Sequence, residues 1–220
     1  MTTLLHIEAS PRKTRSASRE VARGFIERFC AAQPDADVTT LDLWSGALPE
    51  FDADALDAKY AGLAGAPLTP AQTHAWQTLR DLASHLHRAD LIVLSVPLWN
   101  FGIPYKLKQF VDLVSQKDIL FTFDPARGLE GMLRGKTAVA VYARGLDYDA
   151  RSASGTPAAQ FDLQRPYVEA WLRFIGVADV HAIVVQKTLF GAEVDRQARD
   201  AALEEAAALA DGLARARAAG

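Results

Sequence analysis

Leu91-Ile92-Val93-Leu94-Ser95-Val96 is a nearly unbroken apolar run of strand length. Such a run reads as a strand buried on both faces, and strands of that kind belong to parallel sheets covered by helices on each side. After it, Pro97-Leu98-Trp99-Asn100-Phe101-Gly102-Ile103-Pro104 carries two prolines, one glycine, two aromatics and an amide. From Lys106 to Ser115 the apolar residues Leu107, Phe110, Val111 and Val114 keep a helical spacing. Stiff prolines, flat aromatic faces and one amide, placed between strand and helix, suit a planar heterocycle better than a sugar or a metal. The alternative is an ordinary connection whose aromatics fill core.

Four more strand-length segments alternate with helical ones. Leu4–Ala9 is the first strand. The polar loop Ser10–Arg19 leads into a helix with Val21, Phe25, Ile26 and Phe29 on one stripe, capped by Ser16 or Ser18. Val38–Leu43 alternates polar and apolar residues, as an edge strand does. Trp44–Leu68 reads as irregular, with room for a short helix over 54–60. Thr69-Pro70-Ala71-Gln72 is a sharp helix start, with a threonine cap, proline at the first position and glutamine three residues after the cap. Phe121–Leu133 is a second irregular stretch. Thr137–Tyr142 is the fourth strand, followed by the loop Ala143–Leu146 and a small-residue polar segment over 147–160. A helix with Tyr167, Trp171, Leu172 and Ile175 stops at Gly176, and Val180–Val185 is the fifth strand. The last helix, Glu193–Arg217, is expected to turn Leu203, Ala207, Ala210 and Leu213 inward.

Five strands alternating with helices imply an α/β fold, a flavodoxin-like three-layer sandwich around a five-stranded parallel sheet of order 2-1-3-4-5. An open Rossmann order is the alternative. A single domain over residues 1–220 is expected, with no repeat or linker. In either order ligands bind beyond the carboxyl ends of the strands, where the winding direction reverses. For order 2-1-3-4-5 that point brings together Ser10–Ser18, Pro97–Phe101 and Ala143–Leu146. A helix start rich in hydroxyls, with Arg12 and Arg15 nearby, suits a phosphate. No G-x-G-x-x-G follows the first strand and no G-x-x-x-x-G-K-[ST] occurs, which favours a monophosphate held by serines over a dinucleotide or triphosphate cradle. Helix capping is the competing role for each serine.

Composition narrows the partners. The net charge of −3 indicates no nucleic-acid partner and no anionic membrane surface, and no apolar run approaches the roughly 20 residues that span a bilayer. Met1-Thr2-Thr3 leads into a strand without a charged leader, so a soluble, cytoplasmic protein is expected. The single Cys30 and five scattered histidines offer no disulfide and no metal site.

The chain resembles the flavodoxin-like FMN-dependent NADH-azoreductases, also described as FMN-dependent NADH:quinone oxidoreductases. The resemblance rests on Ser10-Pro11-Arg12, on Ser16-Ala17-Ser18-Arg19, on Pro97–Pro104 with Leu107-Lys108 and Asp112, and on Phe174-Ile175-Gly176. It implies that Ser10, Ser16, Ala17 and Ser18 hold the FMN phosphate. Leu98, Trp99, Asn100 and Phe101, in the loop opened by Pro97, would line the isoalloxazine and ribityl chain. Ala143, Arg144, Gly145 and Leu146 would pass the pyrimidine edge. It also implies a homodimer with its site at the interface, and Phe121 and Phe174 on the substrate side; core packing is the other reading of both. NADH or NADPH would give a hydride to flavin N5, and a quinone or azo compound would then take two electrons, in ping-pong order. No protein residue need be catalytic, while peptide N–H groups at the Asn100–Phe101 and Gly145 turns would oppose charge on the reduced ring.

The chain departs from the family's usual Ser-Arg-Gly-Gly in having Ala143 and Leu146. If the lost glycine needed positive φ, Leu146 would cost roughly 1–2 kcal/mol, so a changed loop path is expected. Leu98 and Trp99 replace the usual Met and Tyr, keeping an apolar contact and a flat face. A flavodoxin-like electron carrier serving a protein partner is the rival function; such carriers are strongly acidic, and this chain is not. A phosphoryl-accepting receiver domain would need an acidic cluster where only Glu8 stands.

Overall fold

Parallel strands can be joined only by crossovers, and the chain supplies one helical connection after another. The structure, a computed structural model, describes residues 1–148 and 157–218. In chain order it runs β1 (Thr3–Glu8), α1 (Ala17–Ala32), β2 (Asp37–Asp42), α2 (Ala53–Ala64), α3 (Pro70–Arg88), β3 (Leu91–Pro97) and α4 (Tyr105–Val114). It continues through β4 (Phe121–Asp124), β5 (Gly128–Gly131), β6 (Thr137–Ala143), α5 (Ala158–Phe161), α6 (Gln164–Phe174), β7 (Asp179–Val185) and α7 (Ala192–Ala218). The main sheet is parallel throughout, in the order β2-β1-β3-β6-β7. Counting only its own strands, this is the expected 2-1-3-4-5.

β3 is the middle strand, and all six residues from Leu91 to Val96 are sealed. Ile92, Leu94 and Val96 belong to the core under α3, α4 and α6, while Leu91 and Val93 belong to the core under α1 and α7. The unbroken apolar run follows from this double covering. α3 begins with the reciprocal cap seen in the sequence: Thr69 Oγ1 accepts from Gln72 N–H, and Gln72 Oε1 accepts from Thr69 N–H.

Three expectations are corrected. The 44–68 stretch contains a full twelve-residue helix, α2, capped by Asp52 and ended by Gly65 in the left-handed conformation. Its alanine-rich sequence outweighs the single interior Gly62. Phe121–Leu133 is a β-hairpin, β4 against β5, whose turn forms because Asp124 Oδ1 accepts from the N–H groups of Ala126 and Arg127. Four-residue strands are too short for their alternation to stand out. On α7 the buried stripe is Ala202, Ala206, Ala210 and Ala214, one residue away from the leucines expected there. Leu203 flanks it and fills the space over Gly24, where a β-carbon would lie 2.5 Å from Leu203 Cδ2. The small stripe lets α7 approach α1 closely. Of the polar segment over 147–160, residues 149–156 lie outside the described residues.

The hairpin meets the end of α6 through a close backbone approach as well as through the packing of Phe121 on Phe174. Gly176, at φ +102°, ends α6 as expected, and a β-carbon on Gly131 would lie 2.1 Å from Gly176 N. Gly131→Ala is therefore expected to lower stability by about 2 kcal/mol or more, read as a shift in urea midpoint at unchanged m-value, because backbone must move to admit the methyl group.

Candidate functional site

β1 and β3 lie side by side with Glu8 opposite Ser95, and Ala9 N–H donates to Ser95 O at 3.1 Å. Their outgoing loops therefore start next to each other. The first loop passes Ser10, which is buried, makes a single 3-10 turn over Lys13–Arg15 and enters α1 at Ser16. Ser16 Oγ accepts from Arg19 N–H at 3.4 Å and lies 3.2 Å from Ser18 Oγ. The N–H groups of Ala17 and Ser18, in the open first turn, have no acceptor among the described residues.

The second loop is held at its root by Leu98 N–H donating to Ala143 O at 2.8 Å. Trp99 and Gly102 then exchange two backbone hydrogen bonds, at 3.0 and 2.9 Å, around a tight turn with Asn100 at φ +44° and Phe101 at φ +73°. Two positive φ values are the geometry of a type I′ turn, tolerable for asparagine and strained for phenylalanine. The turn leaves the N–H groups of Asn100 and Phe101 without acceptors among the described residues. Phe101 O accepts from Leu163 N–H at 2.8 Å, and its ring packs 5.1 Å from that of Phe161 on α5. Trp99 belongs to an aromatic group with Trp44 and Tyr105, fixed by Trp44 Nε1–H donating to Ala9 O at 3.0 Å.

The third loop, Ala143–Leu146, is zipped to the chain after β7. Arg144 N–H donates to Val185 O at 2.8 Å, Leu189 N–H to Gly145 O and Lys187 N–H to Leu146 O, both at 3.1 Å. Leu146 is not left-handed; the left-handed residue here is Lys187, at φ +66°. The strain anticipated for a positive φ at Leu146 is thus absent. A β-carbon on Gly145 would lie 2.6 Å from Leu189 Cδ1, the tip of an exposed side chain that would have to turn away. The guanidinium of Arg144 is buried, with Nε donating to Gln164 Oε1 at 3.2 Å and Nη2 to Asp162 Oδ2 at 2.6 Å. Gln164 in turn donates to Val96 O at 2.8 Å, so this network ties the third loop to the start of α6 and to β3.

Together the loops enclose a cleft of about 170 Å³. Ser10, Ser16, Ala17, Pro97, Leu98, Trp99, Ala143, Arg144 and Gly145 line it, as does Arg12. Ser18 is sealed behind Ser16, and Phe101 and Leu146 are half-exposed outside the lining. Phe121 and Phe174 pack on each other at 4.8 Å away from this lining. Phe121 instead borders a separate apolar groove of about 430 Å³ with Leu63, Leu68, Trp76, Phe123 and Leu129. Sequence reasoning missed Thr188, Leu189 and Arg199, which also line the cleft. Leu189 follows the last strand, and Arg199 sits in an alanine-rich helix that carries no local motif. No group of three metal-ligating side chains occurs among the described residues, and none of their helices is long and apolar enough to cross a membrane.

A family model described as "Flavodoxin-like fold" matches residues 2–210. Over 214 residues the chain is 59% identical to "FMN-dependent NADH:quinone oxidoreductase 3" of Pseudomonas fluorescens, covering 97% of this chain and 98% of the relative. It is 55% identical over 212 residues to "FMN-dependent NADH:quinone oxidoreductase 9" of Burkholderia lata, covering 96% and 99%. An azoreductase structure from Bacillus anthracis str. Sterne superposes with a TM-score of 0.84 at 26% identity, covering 96% of this chain and all of the other.

Beneath the first loop lies a layer of buried charge. Glu8 accepts from Arg19 Nε–H at 2.7 Å, and Lys13 pairs with Asp42. His6 Nε2 lies 3.2 Å from Ser95 Oγ, while Glu8 Oε1 is 3.6 Å from His6 Nδ1, too far for a hydrogen bond. Ser95 is fully sealed, so this serine cannot meet a substrate as a nucleophile. Burial, followed by the charges of Arg19 and Arg23 and opposed by Asp42, pushes the His6 pKa down from 6.5 to about 4. The folded protein thus keeps His6 neutral where an unfolded chain would protonate it. That contribution is complete above pH 6.5 and is lost as pH falls towards 4, amounting to roughly 3 kcal/mol. Urea midpoints measured across this window should fall less steeply in His6→Gln than in the unaltered protein.

Proposed function

Because the chain belongs to the family of flavodoxin-like FMN-dependent NADH:quinone oxidoreductases, we propose that its cleft binds FMN and that it reduces quinones and azo compounds with NADH. The observation that carries this assignment to the cleft is its donor set. Ser10 and Ser16 line the cleft at the start of α1, where the N–H groups of Ala17 and Ser18 have no acceptor among the described residues, a setting for a phosphate. Across the cleft, Trp99 and Leu98 offer flat apolar contact, and the N–H groups of Gly145 in the lining and of Asn100 and Phe101 beside it, without acceptors among the described residues, suit the electron-rich edge of a flavin. Ser10, Ser16, Ala17 and Ser18 would hold the phosphate end. Residues 97–101 and 143–146 would hold the ring end, with Leu146 and Phe101 at its edge.

When bound, FMN supplies the two-electron chemistry, accepting a hydride from a nicotinamide and passing the electrons to the acceptor. The chain's part is placement. The β3 and β6 loops, tied by Leu98 to Ala143, fix the ring's position, while Arg144 with Asp162 and Gln164 stops the third loop from yielding. The peptide donors oppose negative charge without moving, so they need no reorganisation during the reaction. NADH or NADPH and the acceptor use the same open side in turn, which gives ping-pong order. No side chain is needed as nucleophile.

The cleft is small for a three-ring flavin, and a second copy supplies the remaining wall. Tyr60, Leu63, Phe123 and Leu129 are all more than half exposed on or beside the apolar groove, and Phe101, Tyr105, Leu163 and Leu189 are exposed around the cleft. A two-fold pair that places the groove of each protomer over the cleft of its partner buries both sets and brings Phe121 and Phe174 to the substrate side. A net charge of −3 gives no strongly acidic docking face, so the one-electron carrier reading is not favoured.

The purified protein should be yellow with bound FMN, bleach when NADH is added without oxygen, and regain colour on adding a benzoquinone. Protein that stays colourless after exposure to FMN would remove the assignment. Initial-rate plots at several quinone concentrations should be parallel; intersecting lines would reject ping-pong order. Light scattering should give twice the chain mass.

A further inference from the structure

We propose that Arg199, two turns into α7, is a further binding residue of the cleft, and that its guanidinium takes the phosphate monoester of the flavin. The inference rests on the FMN reading of the cleft and adds a residue from a helix that supplies no other part of that reading. Arg199 lines the cleft together with Ser10, Arg12 and Ser16, at the start of α1. Its Nε donates to Asp195 Oδ1 at 2.9 Å and its Nη1 to Glu20 on α1. A guanidinium carries five N–H donors in one plane, so two carboxylates on one side fix that plane and leave three donors. Nη2 has no acceptor among the described residues. The side chain is only 17% exposed, so the arginine is held in place rather than waving in solvent.

Charge gives the reason such a residue is needed. A phosphate monoester carries close to two negative charges at neutral pH. The serines are neutral donors, and the start of α1 offers the equivalent of about half a positive charge. Glu20, in the first turn of the same helix, sets a negative charge beside that site. Arg199 offers donors to the phosphate, and its single positive charge between Glu20 and Asp195 offsets one of their two negative charges. Of the other two cations lining the cleft, Arg12 is exposed and forms no ion pair among the described residues, and Arg144 is paired with Asp162.

The test is flavin affinity with and without the phosphate. Release of flavin fluorescence on diluting the holoprotein gives the FMN dissociation constant, and refilling stripped protein with riboflavin gives the control. Arg199→Met should weaken FMN by about 10- to 100-fold and leave riboflavin unchanged. Glu20→Gln should tighten FMN several-fold, again without effect on riboflavin, and should restore part of the loss when added to Arg199→Met. The Glu20 variant keeps the test decisive if Arg199→Met fails to fold. Equal losses for FMN and riboflavin, or no loss for either, would overturn the proposal. So would a rise in KM for NADH at unchanged FMN affinity, which would give the guanidinium to the pyridine nucleotide. Unaltered protein that binds neither flavin would overturn the FMN reading itself, an outcome separate from all of these.

Discussion

Everything at the candidate site depends on the parallel pairing of β1 with β3. Glu8 stands opposite Ser95, and one residue later the ladder ends with Ala9 bonded to Ser95 O. From that level the two chains part to opposite faces of the sheet, β1 towards α1 and β3 towards α4. A crevice must open between them, because neither loop can cross to fill it. The pairing holds because β3 is buried on both sides, which makes its displacement costly whichever helix layer moves. Without this register the serine turn and the aromatic turn would be two unrelated loops.

Within the crevice the backbone does more than the side chains. The open first turn of α1, Gly145 and, beside the lining, the strained pair Asn100–Phe101 each leave an N–H without an acceptor among the described residues, and each is stabilised from outside the crevice. Leu163 takes the carbonyl of Phe101, Arg19 is bonded to the Ser16 cap, and the 186–190 chain holds the Gly145 loop. Free polar groups at this density would be a liability in a passive surface. Here they are a fixed electrostatic setting, ready before any ligand arrives.

What could be read in the sequence followed from period and punctuation. The β3 run, the Thr69 cap and the Gly176 stop carry their structural meaning in a few adjacent residues, and the need for crossovers then leaves two strand orders, of which the structure has 2-1-3-4-5. A serine cap at Ser16 or Ser18, which the structure makes Ser16, was legible for the same reason. The hairpin at 121–131 was not, since four-residue strands have too little pattern and their placement depends on a backbone contact with Gly176. The inward face of α7 was misjudged by one residue because leucines seem to demand burial. The helix instead presents its alanines, and Leu203 finds its space over Gly24. Arg199 and Leu189 reach the cleft only through the packing of elements far apart in the chain. Leu146 takes no left-handed conformation, so the strain expected there does not arise.

The alanine stripe of α7 has a consequence for how the molecule comes apart. Alanines permit close approach but remove little apolar surface from water, so a large share of this helix's attachment falls to polar ties spread along its length. Arg28 meets Asp211, Gln33 reaches Ala214 O, Arg217 holds Asp90 O and Thr137, and Arg199 joins Glu20. The two ion pairs among these ties, Arg28–Asp211 and Arg199–Glu20, weaken with dissolved ions, whereas the oily layer under α3 and α4 does not. The final helix is therefore the segment whose grip is set by the ionic medium, and its release would expose amide hydrogens to exchange there while the opposite layer stayed shut.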